Sequence, residues 1–162
     1  MIGNIKIIAV CMCKVYDERN YRIIRALNNF AVENDYRLFV YHTCSDLYWK
    51  TLSEKGEQSV FDLIDYNITD AVVTFEEGVY AENVMTKIRM DAAKYGKPVI
   101  SVGVEHDDCI SIKFGYAKGF EQVVRHVIEQ HGVRDIGFIA GRKDEENSEE
   151  RNSSFQKATR GV

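Results

Sequence analysis

Residues 5–13 read IKIIAVCMC, a nearly continuous β-branched and apolar run that is typical of a strand covered on both faces of a sheet. Residues 20–34 then carry apolar side chains at helical spacing, and residues 37–41 (RLFVY) return to a short apolar run. A strand, an amphipathic helix and a second strand in this order predict a β-α-β unit whose two strands lie parallel.

The same alternation continues along the rest of the chain. Further strands are predicted at Ala71–Phe75, Val99–Val102, 110–114 and 136–140, and further helices at 53–66, 81–95, 116–130 and 148–158. Gly96 is expected to end the third helix in the left-handed conformation. The fold class is therefore α/β, a doubly wound parallel sheet with helices on both faces, and ligands of such sheets bind beyond the carboxyl ends of the strands.

Composition excludes several classes of protein. The 162 residues include 21 Lys+Arg and 25 Asp+Glu, so the net charge of −4 supplies no general attraction to nucleic acid or to an anionic membrane. No stretch approaches the ~20 apolar residues of a membrane span, and the first residues resemble a strand more than a signal peptide. A cytoplasmic protein is predicted.

The four cysteines are Cys11, Cys13, Cys44 and Cys109, without any C-x-x-C pair. Their spacings do not match a structural zinc site, so we expect reduced thiols, with Cys11 and Cys13 buried on one face of the first strand. Neither a P-loop, a G-x-G-x-x-G turn nor a G-x-S-x-G elbow is present, and no phosphorylatable Asp follows the third strand. We therefore predict no cofactor, no metal and no catalytic set in this segment.

The rim at the carboxyl ends of the strands carries acidic and aromatic side chains. The residues predicted to bind a ligand there are Tyr16, Asp17, Ser45, Asp46, Tyr48, Trp49 and Glu76. Tyr and Trp rings stack on flat ligand faces and bond through their polar tips, so a small polar ligand with donor groups is expected. The alternative for Trp49 is packing over the neighbouring helix.

From residue 5 to 155 the order of short motifs resembles the core of periplasmic sugar-binding proteins and LacI-type repressors. The matching pieces are NDYRL (34–38), SD (45–46), TDAVV (69–73), KPVI (97–100), the 126–141 segment and RNSSF (151–155). The resemblance implies a type I periplasmic-binding-protein fold. In that arrangement residues 1–112 form the first lobe, and residues 113–162 form the crossover and the opening part of an incomplete second lobe.

The resemblance also implies a role for Arg151, which keeps the position of a ligand-holding arginine and would face the rim from the second lobe. The family's segment after the first strand is replaced here by YDERNY (16–21), and its Asp before the crossing helix aligns with Phe114, so a simple sugar is not indicated. The alternative for Arg151 is an ion pair with Glu146 or Glu150 on its own helix.

The resemblance finally implies a ligand-sensing region that is not itself an enzyme. Because Met1 lies directly before the first strand, we expect a fragment without the family's N-terminal DNA-binding headpiece and with an output domain after it, a GGDEF diguanylate cyclase being the first choice. The alternatives are the effector-binding region of a LacI- or AraC-type transcriptional regulator and a stand-alone flavodoxin-like enzyme. A homodimer or swapped pairing is expected to cover the apolar segments 116–130 and 136–140, which are expected to lack their full set of neighbours.

Overall fold

The computed structural model describes residues 5–77, 79–143 and 145–160, and the chain divides into two compact units, Met1–Lys113 and Phe114–Val162. None of the helices in these described ranges is long and apolar enough to cross a bilayer.

The first unit is built on one parallel sheet. Its strands are β1 (Lys6–Cys13), β2 (Tyr36–Thr43), β3 (Ala71–Phe75), β4 (Val99–Val102) and β5 (Ile110–Ile112), in the order β2-β1-β3-β4-β5. The interior strand β1, which pairs with β2 and β3, is buried from Ala9 to Cys13, as expected for a strand covered on both faces. Because the strand order reverses at β1, the topological switch point lies between β1 and β3.

Helices cover both faces of this sheet. The connections are α1 (Glu18–Glu33), α2 (Leu52–Gln58), a 3-10 helix (Ser59–Leu63) and α3 (Glu82–Lys94). Since β2 and β3 lie on opposite sides of β1, right-handed crossovers put α1 on one face and α2 and α3 on the other. The main core lies on the α2 and α3 face, where Phe61 and Met85 pack against Cys11 and Val72. The predicted doubly wound α/β fold is confirmed.

The end of α3 follows the sequence prediction. Gly96 has a φ of +64°, its N–H donates to the carbonyl oxygen of Ala93 at 2.9 Å, and the N–H of Lys97 reaches that of Ala92 at 2.9 Å. These two bonds form a Schellman motif, in which glycine is favoured because it has no Cβ to clash in the left-handed region.

The predicted single helix over 53–66 is wrong. Thr51 caps α2 through a capping box with Glu54, and α2 ends at Gln58, where the 3-10 helix begins. Phe61 and Ile64 lie three residues apart and are both buried in the core. A 3-10 turn has three residues per turn, so residues at this spacing project on the same side.

The second unit consists of α4 (Tyr116–His131) and α5 (Glu146–Ala158). The predicted strand at 136–140 is wrong, since no described residue pairs with this segment. Ile136 packs instead on the small core of the two helices, and the Phe138 ring lies 4.9 Å from that of Phe155, whereas Ile139 is 96% exposed. The alternation of a strand is present, but the backbone has no partner for a ladder.

The two cysteines of β1 are buried on the same face, as predicted. Burial raises the pKa of the Cys11 thiol, and it raises the pKa of Cys13 to about 11 against the opposing hydrogen bond from Thr43. Because the thiolate is the reactive form, both thiols are protected by burial and by protonation.

We therefore expect a thiol reagent at neutral pH to modify the exposed Cys44 in the folded protein and to leave Cys11 and Cys13 untouched. In denaturant all four cysteines should react. Peptide mass spectrometry after labelling identifies the modified positions. Rapid modification of Cys11 without denaturant would contradict the placement of β1 as a buried strand between β2 and β3.

Candidate functional site

The turn after β1 forms one side of the switch point. Lys14 has a φ of +48°, and the Asn20 side-chain amide donates to the carbonyl oxygens of Cys13 at 3.0 Å and Lys14 at 3.1 Å. These bonds hold the left-handed turn rigid. As a result Tyr16 and Asp17 are presented at the start of α1, beyond the carboxyl end of β1.

An ion pair joins this turn to the loop after β2. Lys14 Nζ lies 2.9 Å from Asp46 Oδ2, and this hydrogen bond raises the pKa of Lys14. Partial burial opposes the ionisation of Asp46, but the hydrogen bond and the charge of Lys14 outweigh it and hold the pKa of Asp46 below its usual value. Asp46 is therefore an ionised acceptor at the rim near neutral pH.

Two glutamates of α2 hold the loop after β2. Glu57 Oε2 accepts from the backbone N–H groups of Cys44 at 2.8 Å and Ser45 at 2.9 Å. Glu54, which is buried in the capping box of α2, accepts from the N–H of Trp49 at 3.2 Å. The loop is thus ordered by its own helix, although sequence analysis did not identify either glutamate. The Thr-x-x-Glu pattern at 51–54 was the available signal.

Aromatic rings line the same rim. The Tyr48 ring meets Trp49 edge-to-face at 4.7 Å and Tyr80 at 5.1 Å, and the Tyr80 N–H donates to the carbonyl oxygen of Asp46 at 3.0 Å. Trp49 is 76% exposed and Tyr16 is 79% exposed. The indole is therefore not covered by α2, and both rings present faces on which a planar ligand can stack.

Glu76, which follows β3, is the centre of a buried polar network. Its Oε1 accepts from Thr74 Oγ1 at 2.8 Å, Arg89 Nη1 at 3.1 Å and Ser101 Oγ at 3.2 Å. Its Oε2 lies 2.9 Å from His106 Nε2 and 3.2 Å from Arg89 Nη1. Both oxygens are satisfied inside the protein, so Glu76 positions its neighbours and does not offer an acceptor to a ligand.

Arg89 was missed by sequence analysis, and it connects α3 to the loop after β4. Its side chain is 7% exposed, and its Nε has no hydrogen-bond partner among the described residues but lies 3.4 Å from Asp108 Oδ1. The sequence did contain a signal for this residue. The charged Arg89 lies within the apolar stripe of Met85, Ile88 and Ala92, by which α3 faces the core. A charge on such a stripe indicates a buried partner.

Another missed pair lies at the switch point itself. Arg19, in the first turn of α1, places its Nη2 2.5 Å from Oε2 of Glu77, which follows β3. The two residues are 58 positions apart, so only the parallel pairing of β1 with β3 brings them together. Their charges sit where ligands bind in doubly wound sheets.

Seven of the eight predicted ligand residues lie on the loops that follow β1, β2 and β3 in the first unit. Arg151 lies in the second unit, on α5, where Nε donates to the carbonyl oxygen of Asn147 at 3.1 Å and Nη2 lies 3.4 Å from Ser148 Oγ. Its place relative to the rim stays a prediction.

The architecture is similar to solved structures of regulators and binding proteins. One is the transcription regulator CcpA of Lactococcus lactis, with 21% identity, 95% of this chain and 53% of that chain covered, and a TM-score of 0.68. Another is an ABC transporter solute binding protein from Burkholderia multivorans, with 14% identity, coverage of 98% and 57%, and a TM-score of 0.68. The fold is periplasmic binding protein type I-like.

A third similar structure is CcpA from Weissella paramesenteroides with bound glucose. It has 16% identity and a TM-score of 0.68, and the match covers 96% of this chain and 54% of that chain. The chain spans about half the length of these structures. No protein-family model matches the sequence, and no curated protein is significantly similar to it. Within the described ranges, no three His, Cys, Asp or Glu side chains are grouped as a metal site.

Proposed function

We propose that this chain is the ligand-sensing region of a cytoplasmic regulatory protein and that its switch-point rim binds a small polar molecule. The observation that carries the proposal is a difference in exposure at the rim. The aromatic rings there face solvent, whereas the glutamates that hold the surrounding loops, which we call the frame, are hydrogen-bonded within the first unit. Tyr16 and Trp49 are largely exposed, whereas Glu54, Glu57 and Glu76 are engaged by groups of the same unit. A rigid frame that presents exposed rings and an ionised Asp46 is suited to binding.

The ligand class follows from the groups at the rim. Asp46 and Glu77 place carboxylate groups at the rim, in ion pairs with Lys14 and Arg19, so the ligand should carry hydrogen-bond donors, and the exposed rings favour a flat face. Arg151 is proposed to serve an acceptor on the ligand from the second lobe. The bound sugar of the Weissella paramesenteroides regulator makes polyhydroxylated metabolites a sensible first set of compounds to test.

The test is a thermal-shift screen of small polar metabolites against the full-length protein. For a compound that stabilises the protein, we expect Trp49→Ala to weaken binding about three- to tenfold, the equivalent of losing about 0.5–1.5 kcal/mol of ring contact. Phe30→Ala is the matched control. Phe30 is also an exposed ring, at 62%, but it lies near the C-terminal end of α1, whereas the rim residues Tyr16 and Asp17 lie just before its N-terminal end. A shift that is unchanged in both Arg151→Ala and Trp49→Ala would place the site elsewhere.

We propose a GGDEF diguanylate cyclase as the output domain, on the motif resemblance alone. Cyclase activity of the full-length protein that changes with the ligand would support it. Ligand-dependent binding of the full-length protein to DNA would instead support the LacI- or AraC-type alternative, which the similar regulator structures favour. Purification with a bound flavin would favour the flavodoxin-like enzyme.

We also propose that the chain forms a homodimer. In the second unit Val123 is 60% exposed on α4 and Ile139 is 96% exposed, and exposed apolar side chains of this kind favour association. Sedimentation should show a dimer at high protein concentration, and Ile139→Asp should shift the protein towards monomer. A monomer throughout the concentration range would refute this proposal.

A further inference from the structure

We propose that His126 and His131 of α4 form a binding site for a divalent transition-metal ion of the zinc class. The two Nε2 atoms lie 3.2 Å apart, and the ring centroids are separated by 5.0 Å at an interplanar angle of 76°. Zinc bonds histidine nitrogen at ~2.0–2.1 Å, so two nitrogens of a tetrahedral site are separated by about 3.3 Å. The observed separation already fits a shared ion.

A direct hydrogen bond between two neutral rings is the simpler account of this distance. Both histidines are exposed to solvent. Because exchanging water for another partner at the surface contributes little free energy, such a bond holds the two rings together only weakly. An ion of the zinc class can therefore replace it by bonding both Nε2 atoms.

The local electrostatics favour a cation. His131 is the last residue of α4, and Gly132 follows it with a φ of +64°. The C-terminal end of a helix carries a partial negative charge from its last carbonyl groups. Glu129, which is 59% exposed, adds a negative charge two residues before His131, and Arg125, whose Nη1 lies 4.0 Å from Glu129 Oε1, offsets part of that charge. Only two protein ligands are supplied by the described residues, so water completes the coordination.

Imidazole ligands select zinc, copper and nickel over magnesium and calcium, which prefer oxygen. Zinc chloride should therefore be titrated into the full chain with thiols kept reduced, and followed by NMR of the imidazole nitrogens. We expect one equivalent to shift the Nε2 signals of His126 and His131 and to leave His42 and His106 unmoved. Magnesium chloride should cause no shift.

Variants make the assignment specific. His126→Gln and His131→Gln should each lower the zinc affinity at least about tenfold, since even the loss of a supporting group around a metal costs that much. His42→Gln is the matched control, because His42 lies two residues from the exposed Cys44 and would belong to any competing site. Unchanged affinity in the double variant of His126 and His131, or no binding at millimolar zinc, would overturn the proposal.

Discussion

Replacing Arg89 by methionine should lower the free energy of unfolding by about 3–5 kcal/mol, because it leaves the Glu76 carboxylate buried without its cation. The side chains of Glu76 and Arg89 are 5% and 7% exposed. Methionine fills a similar volume on α3, so the loss of unfolding free energy would result from the missing charge and not from a cavity. Urea unfolding followed by circular dichroism measures the change from the midpoint and slope.

Lys87→Met is the matched control for this prediction. Lys87 lies on the same helix and pairs with Asp62 and Asp91 at 3.0 and 3.2 Å, but it is 61% exposed. Since exposed ion pairs contribute at most about 1 kcal/mol, this change should be small. Combining Arg89→Met with Glu76→Gln should recover part of the loss, because the uncompensated charge is then removed. Equal losses in Arg89→Met and Lys87→Met would contradict the buried network.

Gly103→Ala should cost about 2–5 kcal/mol, the sum of backbone strain and overpacking. Gly103 has a φ of +103°, and a Cβ built there would lie 2.7 Å from Glu77 Cβ and 2.9 Å from its backbone nitrogen. The loop after β4 would have to move away from the loop after β3, on which Glu77 pairs with Arg19. We therefore expect ligand binding at the rim to weaken along with stability.

Gly56→Ala controls for the general effect of adding a methyl group. Gly56 lies within α2, and a Cβ there would meet no atom within 4 Å. Alanine is the better helix former by about 0.5–1 kcal/mol, so this variant should be slightly more stable than the parent. If Gly103→Ala unfolded at the same urea concentration as the parent, the close approach of the two loops would be disproved.

The sequence was sufficient for the elements that local patterns specify. The apolar runs of β1, β3 and β4 and the helical spacing of α1 indicated the parallel sheet, and the alternation of strands and helices indicated its winding. It also located the rim, because the carboxyl-end rule requires only the order of the elements. The strand predicted from the sequence at 136–140 was wrong. Apolar and other residues alternate there as in a strand, but no neighbouring strand is present among the described residues to form a ladder.

The amino-acid sequence by itself determined the doubly wound sheet, the left-handed end of α3 at Gly96 and the aromatic and acidic character of the rim, since these depend on residues close together in the chain. Only the tertiary structure decided which polar groups meet. Glu76 and His106 are 30 residues apart and Arg19 and Glu77 are 58 apart, so their pairing depends on strand order and register. Local patterns carry no information about such distant partners. Burial makes a partner obligatory for the charge of Glu76, whereas Arg19 is 56% exposed and its pair with Glu77 depends on register alone.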